Sequence, residues 1–155
     1  MEPEAQIPKG RILALDLGAR RIGLALSDEL MLTAQGLETL QRTTLREDIA
    51  RLTSLAAGHG VTLVLMGNPM NMNGNEGRQS GWVRDFAEKL HARSGLTVRL
   101  WDERLTTKEA ERVLRSSGIS RVKRGLAVDR LSAVILLASY LEALPSGNGG
   151  GDLPA

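Results

Sequence analysis

The chain of 155 residues is 42% hydrophobic and 25% charged, a composition typical of one globular domain, and its formal net charge is +2. It has no cysteine, which excludes disulfides and zinc–thiolate sites, and its two histidines are too few for a histidine-rich metal site. The acidic first residues and the lack of a long apolar run argue against a signal peptide or a membrane span, and together with the missing cysteine they predict a cytoplasmic protein without a membrane partner.

Apolar segments alternate with polar, glycine-containing segments along the chain. Short apolar runs predict buried strands, and apolar residues repeated every three or four positions predict helices. In chain order, the sequence predicts strands at 11–17, 21–27 and 32–40, a helix begun by the Thr44 and Glu47 capping box and ended by Gly58 and Gly60, a strand at 61–66, a helix through Val83 and Leu90 that ends at Gly95, a strand at 96–101, a short helix at 106–116 and a last helix at 127–144. Three strands followed by βα units predict an α/β fold with a mixed central sheet of about five strands flanked by helices.

The predicted elements form one continuous domain, residues 11–144. Residues 1–10 are expected to be a polar lead-in, and residues 145–155, which are rich in glycine and proline, a disordered tail. Two polar loops are predicted inside the domain, at 67–80 and 117–126.

Asp16 lies within a predicted strand that is otherwise apolar. A charged carboxylate there is unfavourable unless a cation or a bound metal compensates it, and aspartate is a poor strand former. A residue that breaks the local rule in this way indicates function. The alternative is an aspartate at a strand end that caps the following turn.

Asp102 and Glu103 directly follow the predicted strand at 96–101. Sites in open α/β sheets form at the carboxyl ends of strands, which makes both residues candidates. The alternative is that both are exposed turn residues, or that one of them pairs with the neighbouring Arg104.

Asp129 is expected in the first turn of the last helix, which is apolar almost all round and therefore largely buried. The small residues Ser132 and Ala133 share its helix face and let the helix approach the sheet closely. Between Arg112 and Arg130, six basic residues surround Asp129 as the only carboxylate, a pattern that suits a phosphodiester substrate. The alternatives are an aspartate that only favours the helix N-terminus and an arginine-rich loop that faces solvent.

Asp16, Glu103 and Asp129 thus fall at the ends of separate predicted elements of one small sheet. Clustered carboxylates repel each other and stay charged together only with cations, and ligand sets made only of oxygen select hard ions such as Mg²⁺ or Mn²⁺. Two such ions can activate water and stabilise the leaving oxygen in phosphodiester cleavage. The pattern therefore predicts a divalent-metal-dependent nuclease that needs no nucleophilic side chain.

Four segments, in order along the chain, resemble the YqgF (RuvX) family of proposed pre-16S rRNA nucleases and Holliday-junction-resolvase-like proteins. They are residues 15–28 (Leu-Asp-Leu-Gly-Ala-Arg-Arg-Ile-Gly-Leu-Ala-Leu-Ser-Asp), 67–74 (Gly-Asn-Pro-Met-Asn-Met-Asn-Gly), 102–107 (Asp-Glu-Arg-Leu-Thr-Thr) and 128–133 (Val-Asp-Arg-Leu-Ser-Ala). The resemblance covers about residues 10 to 144.

The resemblance implies an RNase H-like fold, a cytoplasmic location and maturation of the 5′ end of pre-16S rRNA, with ribosomal particles as candidate partners. It implies Asp16, Glu103 and Asp129 as the acidic triad, with Asp102 as a metal ligand that shares or replaces the role of Glu103. The loop at 67–80 is then a candidate flap over the substrate. Basic residues that are candidates for phosphate contacts, with ordinary surface charge as the alternative, are Arg20, Arg21, Arg104, Lys123 and Arg124. Trp82 and Trp101 are expected to pack on the sheet rather than to stack on bases.

Other protein classes fit the pattern less well. Sugar kinases and actin-like ATPases also carry an Asp-x-Gly turn after a first strand, but they need two lobes and a second such motif. A non-catalytic nucleic-acid-binding scaffold would gain nothing from carboxylates that face phosphates. Among nucleases, a resolvase of four-way DNA junctions is the alternative, and it should act as a symmetric dimer. The sequence shows no strong dimer surface, so RNA processing is favoured, and the choice between monomer and homodimer stays open.

Overall fold

The computed structural model describes residues 10–69, 77–102 and 121–144. In chain order, its elements are β1 (Arg11–Leu17), β2 (Arg21–Ser27), β3 (Ala34–Gln41), α1 (Leu45–His59), β4 (Val61–Asn68), α2 (Arg78–Ser94), β5 (Thr97–Asp102) and α3 (Arg121–Ala143). The strands form a five-stranded sheet in the order β3-β2-β1-β4-β5. The predicted α/β class with a mixed central sheet is confirmed.

The antiparallel and parallel parts of the sheet meet at β1. On one side β1 pairs antiparallel with β2, which pairs antiparallel with β3. On the other side β1 pairs parallel with β4, which pairs parallel with β5. The parallel connections run through α1 and α2, as crossovers between parallel strands require. The carboxyl ends of β1, β4 and β5 therefore lie at the same edge of the sheet.

Each face of the sheet carries its own apolar core, because side chains alternate along a strand. Leu13, Leu15 and Leu17 of β1 pack on the face covered by α1 and α2. Ile12 and Ala14 of the same strand pack on the opposite face, which α3 covers. These two faces are called the α1/α2 face and the α3 face.

The sequence sets the helix ends as expected. The Thr44 hydroxyl accepts a hydrogen bond from the Glu47 backbone N–H at 3.1 Å, the N-cap bond of α1. Gly60 and Gly95 end α1 and α2 in the left-handed conformation, with φ of 68° and 76°. Within the described ranges, none of the helices combines the length and the apolar character needed to cross a membrane.

Two predicted loops are shorter than expected. β4 continues to Asn68 and α2 begins at Arg78, because β5 provides a pairing partner for the polar end of β4. α3 begins at Arg121 rather than near residue 127, because its first residues include the good helix formers arginine, lysine and leucine. The predicted helix at 106–116, the predicted tail at 145–155 and most of the predicted lead-in lie outside the described residues.

Candidate active site

The carboxyl ends of the three parallel strands form the edge where the sequence predicts the site. Leu15 of β1 lies beside Met66 of β4, and Asn68 of β4 lies beside Asp102 of β5. Asp16 is the next residue after Leu15, so Asp16, Asn68 and Asp102 all lie along this edge. The fold therefore brings two of the predicted acidic residues to one end of the sheet, the usual place for a site in an α/β fold.

Asp16 lies on the α3 face. It is two residues beyond Ala14, whose side chain is buried in the core under α3, and strand alternation gives the two residues the same face. Its partner across the β1–β2 ladder is Gly23, and the next pair on this face is Ala14 with Ala25. Asp16 itself is half-buried, so its side chain is partly shielded from water and partly exposed.

Asp102 lies on the other face. Leu100 packs on the α1/α2 face, whereas Trp101 packs on the α3 face. Alternation therefore gives the exposed Asp102 the face of Leu100, opposite to Asp16. The two carboxylates share an edge of the sheet but not a face. Glu103, the other candidate in this motif, lies outside the described residues.

Residue 129 lies in the first half of α3. The buried residues of this helix include Ala133, Leu136 and Tyr140, and the helical repeat places position 129 on the same stripe, one turn before Ala133. Ser132 is also buried, so the small residues near position 129 do pack close to the sheet, as predicted. The side chain of Asp129 itself lies outside the description.

A complete metal site cannot be assembled from these residues alone. Among residues 10–69, 77–102 and 121–144, no group of three or more His, Cys, Asp or Glu side chains is placed to hold a metal ion. The predicted ligands Glu103 and Asp129 contribute no described side chain. The predicted set of donors consists only of carboxylate oxygens, which fits Mg²⁺ or Mn²⁺.

The turn that follows Asp16 is anchored by Arg42. The Gly18 N–H donates to the Arg21 carbonyl oxygen at 2.9 Å and closes the turn. Arg42 holds this turn twice, because its backbone N–H donates to the Arg20 carbonyl oxygen at 2.9 Å and its Nη1 donates to the Gly18 carbonyl oxygen at 3.1 Å. A Cβ on Gly18 would lie 2.8 Å from the Arg21 carbonyl oxygen, so the turn requires glycine at this position.

Arg42 is fixed in turn by Asp48, a fully buried carboxylate in the first turn of α1. Arg42 Nε donates to Asp48 Oδ2 at 3.1 Å. Asp48 Oδ1 accepts from the Thr43 backbone N–H at 3.0 Å and from Arg51 Nη2 at 3.0 Å. Burial alone raises the pKa of Asp48, but the hydrogen bonds from Thr43, Arg42 and Arg51 outweigh it and hold the pKa below its usual value.

The sequence analysis missed this group, which is called the Asp48 cluster and consists of Asp48 with Arg42, Thr43 and Arg51. An acidic residue in the first turn of a helix is common, because it favours the positive end of the helix dipole, and so Asp48 attracted no attention. The available signal was Arg42, a basic residue two positions before the capping box that begins at Thr44. The cluster links the turn after Asp16 to the start of α1.

The two tryptophans lie in different environments. Trp101 packs edge-to-face on Tyr140, with ring centroids 4.9 Å apart, and its Nε1 donates to Ser139 Oγ at 3.2 Å. Trp82 is 36% exposed, and the guanidinium of Arg42 lies over its ring, 5.3 Å from the centroid. The expected packing on the sheet is confirmed for Trp101, whereas Trp82 is partly open to solvent.

Two of the predicted phosphate-contacting residues lie in the turn after Asp16. Arg20 is exposed and Arg21 is half-buried. Arg104 lies outside the described residues, and so do the side chains of Lys123 and Arg124, whose backbone belongs to α3. The described part of the chain therefore places two basic residues next to the candidate catalytic aspartate.

The sequence matches a known protein family over most of its length. Residues 10–143 match the model of the RuvX family, described as Holliday junction resolvase. A protein of Symbiobacterium thermophilum named "Putative pre-16S rRNA nuclease" is 47% identical over 133 residues, which cover 86% of this chain and 92% of that protein. A protein of Koribacter versatilis with the same name is 50% identical over 133 residues, which cover 86% of this chain and 87% of its own length.

Two solved structures share the fold. RuvC of T. thermophilus, in complex with a Holliday junction substrate, has a TM-score of 0.55 at 16% identity, and the match covers 86% of this chain and 94% of that one. The fowlpox virus resolvase, in complex with Holliday junction DNA, has a TM-score of 0.52 at 13% identity, with coverage of 86% and 97%. At such identities the likeness shows the fold alone, which is RNase H-like as predicted. On the sequence matches, the chain belongs to the RuvX (YqgF) family of nucleases.

Proposed function

We propose that this nuclease hydrolyses phosphodiester bonds in precursor ribosomal RNA and matures the 5′ end of pre-16S rRNA. The choice of RNA is supported by the names of relatives that are 47% and 50% identical. The observation that carries the chemistry is the placement of Asp16, a half-buried carboxylate at the carboxyl end of β1 with Gly23 across the ladder. A partly exposed carboxylate in an otherwise apolar strand, at the edge where sites of α/β folds form, favours a role as a cation ligand.

The proposed catalytic carboxylates are Asp16, Glu103 and Asp129. Strand alternation supports Glu103 rather than Asp102 as the main ligand from its motif, because Asp102 takes the face opposite to Asp16. The helical repeat supports Asp129, because position 129 shares a stripe with the buried Ala133. Divalent ions held by these carboxylates, most simply two Mg²⁺ or Mn²⁺, would stabilise charge on the attacking and leaving oxygens of the phosphodiester.

Apart from the metal ions, the protein is proposed to position the carboxylates and to bind the phosphates of the substrate with basic side chains. β1 pairs with a strand on each side, so the backbone at Asp16 is held rigidly. Without cations, the carboxylates would repel a phosphodiester, which is why the proposal includes metal dependence. Phosphates outside the reacting centre are proposed to contact the basic residues Arg20, Arg21, Arg104, Lys123 and Arg124. The Asp48 cluster holds the turn that carries the first two of these.

The cellular setting follows from the proposed substrate. The cytoplasm is the proposed location, because a nuclease of bacterial precursor rRNA meets its substrate there, and ribosomal particles that carry the precursor are proposed partners. The proposed nuclease domain is residues 11–144. A monomer can perform single cuts in RNA, whereas cuts in two strands of a junction require two sites.

Junction cleavage is the second candidate function. It is supported by the family description as a Holliday junction resolvase and by the fold shared with RuvC. The same carboxylates would serve, because the chemistry of phosphodiester cleavage does not depend on the sugar. The two candidates differ in assembly, since a resolvase acts as a symmetric dimer.

The decisive experiment offers both substrates to the purified chain. Labelled precursor rRNA with its 5′ extension and a synthetic four-way DNA junction are each incubated with Mg²⁺, with Mn²⁺ and with chelator, beside the Asp16→Asn variant. Metal-dependent trimming of RNA that Asp16→Asn abolishes supports the proposal. Paired cuts in the junction without RNA trimming move the same site to recombination. Cleavage that persists in chelator or in Asp16→Asn overturns the assignment of the site.

A further inference from the structure

Trp82 stands apart from the other aromatic residues of the chain, which contains two tryptophans, one tyrosine and one phenylalanine. Phe86 packs in the core under α1 and α2, and Trp101 and Tyr140 pack in the core under α3. Trp82 leaves 36% of its surface exposed. Because the other aromatic rings pack in the two cores and part of the Trp82 surface faces solvent, this ring is a candidate contact for a ligand.

The guanidinium of Arg42 packs against the ring of Trp82. It lies 5.3 Å from the centroid of this ring and 5.5 Å from that of Phe86. Arg42 cannot move freely, because Asp48 Oδ2 accepts from its Nε at 3.1 Å and the Gly18 carbonyl oxygen accepts from its Nη1 at 3.1 Å. A ring held against so fixed a partner loses little conformational freedom when a second planar group stacks on it.

Trp82 belongs to α2 and so lies on the α1/α2 face, opposite to the face of Asp16, but its contacts lead to the same edge of the sheet. Arg42 contacts both the indole and the turn at Gly18, which is two residues after Asp16. α2 starts near the carboxyl end of β4, and the Ser80 hydroxyl at its start donates to the Pro69 carbonyl oxygen. The same turn carries the exposed Arg20. An aromatic surface and a cation thus lie near the edge of the sheet where the proposed cleavage takes place.

We infer that Trp82 stacks on an unpaired base of the nucleic acid substrate while Arg20 contacts a nearby phosphate. The inference rests on the proposed nuclease function and adds a feature of the substrate, a nucleotide outside a duplex that is held on the α1/α2 face of the sheet rather than at the cut bond. Aromatic stacking accepts any base, because every base has a π face, and it requires that the base is not already stacked in a duplex. The site therefore distinguishes unpaired from paired strands rather than one sequence from another.

Tryptophan fluorescence tests this inference directly. In the Trp101→Phe variant of the full chain, Trp82 is the only tryptophan, so its emission reports on the site alone. The variant is titrated in chelator with a single-stranded RNA oligonucleotide, with DNA of the same sequence and with the paired RNA duplex. Both single strands are expected to quench Trp82 strongly and the duplex weakly. Stronger quenching by RNA than by DNA identifies RNA as the preferred source of the base, and the reverse identifies DNA.

Binding of labelled single-stranded RNA to variants of the otherwise natural chain provides the second measurement. Trp82→Ala is expected to weaken binding about 5- to 150-fold, the loss of one base stack. Trp82→Leu keeps an apolar cover over Arg42 but has no aromatic face, so it should fold like the natural chain and bind as weakly as Trp82→Ala. Trp82→Phe should retain most of the affinity, and Trp101→Phe should retain all of it.

Two results overturn the inference. One is binding of single-stranded RNA by Trp82→Leu with the affinity of the natural chain. The other is quenching of Trp82 by the duplex as strong as by the single strand. Because chelator prevents metal-dependent cleavage, both measurements are independent of the proposed catalysis. A chain that binds through Trp82 but cuts nothing would contradict the nuclease proposal alone.

Discussion

Asp16 and Asp48 are both carboxylates in apolar surroundings, but the regions around them are built in opposite ways. Asp48 is fully buried, and its two oxygens accept hydrogen bonds from Arg42, Thr43 and Arg51. Asp16 is half-buried and lies near the carboxyl end of β1. Burial of a carboxylate is therefore no mark of an active site. The difference lies in exposure and position: Asp48 is closed off from solvent, whereas Asp16 is partly exposed at the sheet edge where sites of α/β folds form.

The two regions are nevertheless connected. Arg42 bonds to Asp48 on one side and to the Gly18 carbonyl oxygen on the other, and Gly18 begins the turn that follows Asp16. The Asp48 cluster thus serves as a support for the turn at the candidate active site. Substitutions in the two regions should therefore have different consequences. A substitution at Asp16 should lower the cleavage rate, and one at Asp48 should lower the free energy of unfolding.

The largest effect is expected for Asp16→Asn, which keeps the size of the side chain and removes its charge. Cleavage of precursor RNA should fall about 1000-fold, the scale on which enzymes lose rate when a group that stabilises transition-state charge is removed. The melting temperature should change far less than the rate, because asparagine keeps the size and hydrogen-bonding groups of the half-buried side chain. Rates at saturating Mg²⁺ and melting curves provide the measurement.

The matched control for that variant is Asp85→Asn. Asp85 lies on the surface of α2 and forms an ion pair with Lys89 at 3.1 Å. Its removal should leave both rate and melting temperature nearly unchanged, because exposed pairs contribute little. Equal losses of activity in the two variants would contradict a special role for Asp16.

Asp48→Ala should show the reverse pattern, with the chief loss in stability. Removal of the carboxylate leaves the 13%-exposed Arg42 side chain without its ion-pair partner. Unfolding in urea should show a loss of about 3 kcal/mol, near the lower end for a broken buried pair because Arg51 can turn toward water. Cleavage per folded molecule should fall far less than in Asp16→Asn. A stable but inactive Asp48→Ala variant would contradict the structural role assigned to Asp48.

The sequence was sufficient for the architecture because its signals are local. The hairpin strands, the Thr44 cap and the glycines at the ends of α1 and α2 all depend on neighbours in the chain. It also singled out Asp16, because a charge inside an apolar strand is visible without any fold, although the catalytic role of Asp16 stays a proposal. The extension of β4 to Asn68 was not predictable, since the pairing partner lies on β5, more than thirty positions along the chain.

The parts of the site that the sequence missed depend on three-dimensional contacts. Asp48 looks like an ordinary first-turn acid, and only the packing of Arg42 and Arg51 around it reveals a structural cluster. The face of Asp102 also needed the sheet, because it follows from the cores in which Leu100 and Trp101 pack. The exposure of Trp82 follows from the position of α2 and carries no signal in composition.

A smaller effect on stability is expected in the turn that joins the two regions. Gly18→Ala places a Cβ 2.8 Å from the Arg21 carbonyl oxygen, so the turn must shift. The expected loss is about 1–2 kcal/mol, typical of an overpacked site. In Gly58→Ala the new Cβ meets nothing within 4 Å, and helix α1 should gain about 0.5–1 kcal/mol. Urea unfolding of both variants measures the contrast, and a destabilised Gly58→Ala would contradict the steric explanation.

The smallest expected effect is the loss of the stability contributed by the Asp48 cluster at acidic pH. The pKa of Asp48 lies below its ordinary value of 3.8, because hydrogen bonds favour the charged form more than burial disfavours it. A depressed pKa in the folded state means that the contribution to stability is complete above pH 3.8 and is lost as the pH falls through the folded pKa.

The difference in unfolding free energy between the natural chain and Asp48→Ala should therefore stay constant at neutral and weakly acidic pH and shrink below 3.8. Asp28→Asn separates this effect from general acid denaturation. The pKa of Asp28 is also lowered, chiefly by the Thr33 backbone N–H, but its carboxylate lies in an exposed loop. Unfolding measured from pH 6 to pH 2 should show that the pH-dependent gap is larger for Asp48 than for Asp28. If the pH-dependent difference in unfolding free energy is equal for the two variants, the buried Asp48 cluster stabilises the fold no more than the exposed Asp28 loop does. That result would contradict the structural role assigned to Asp48.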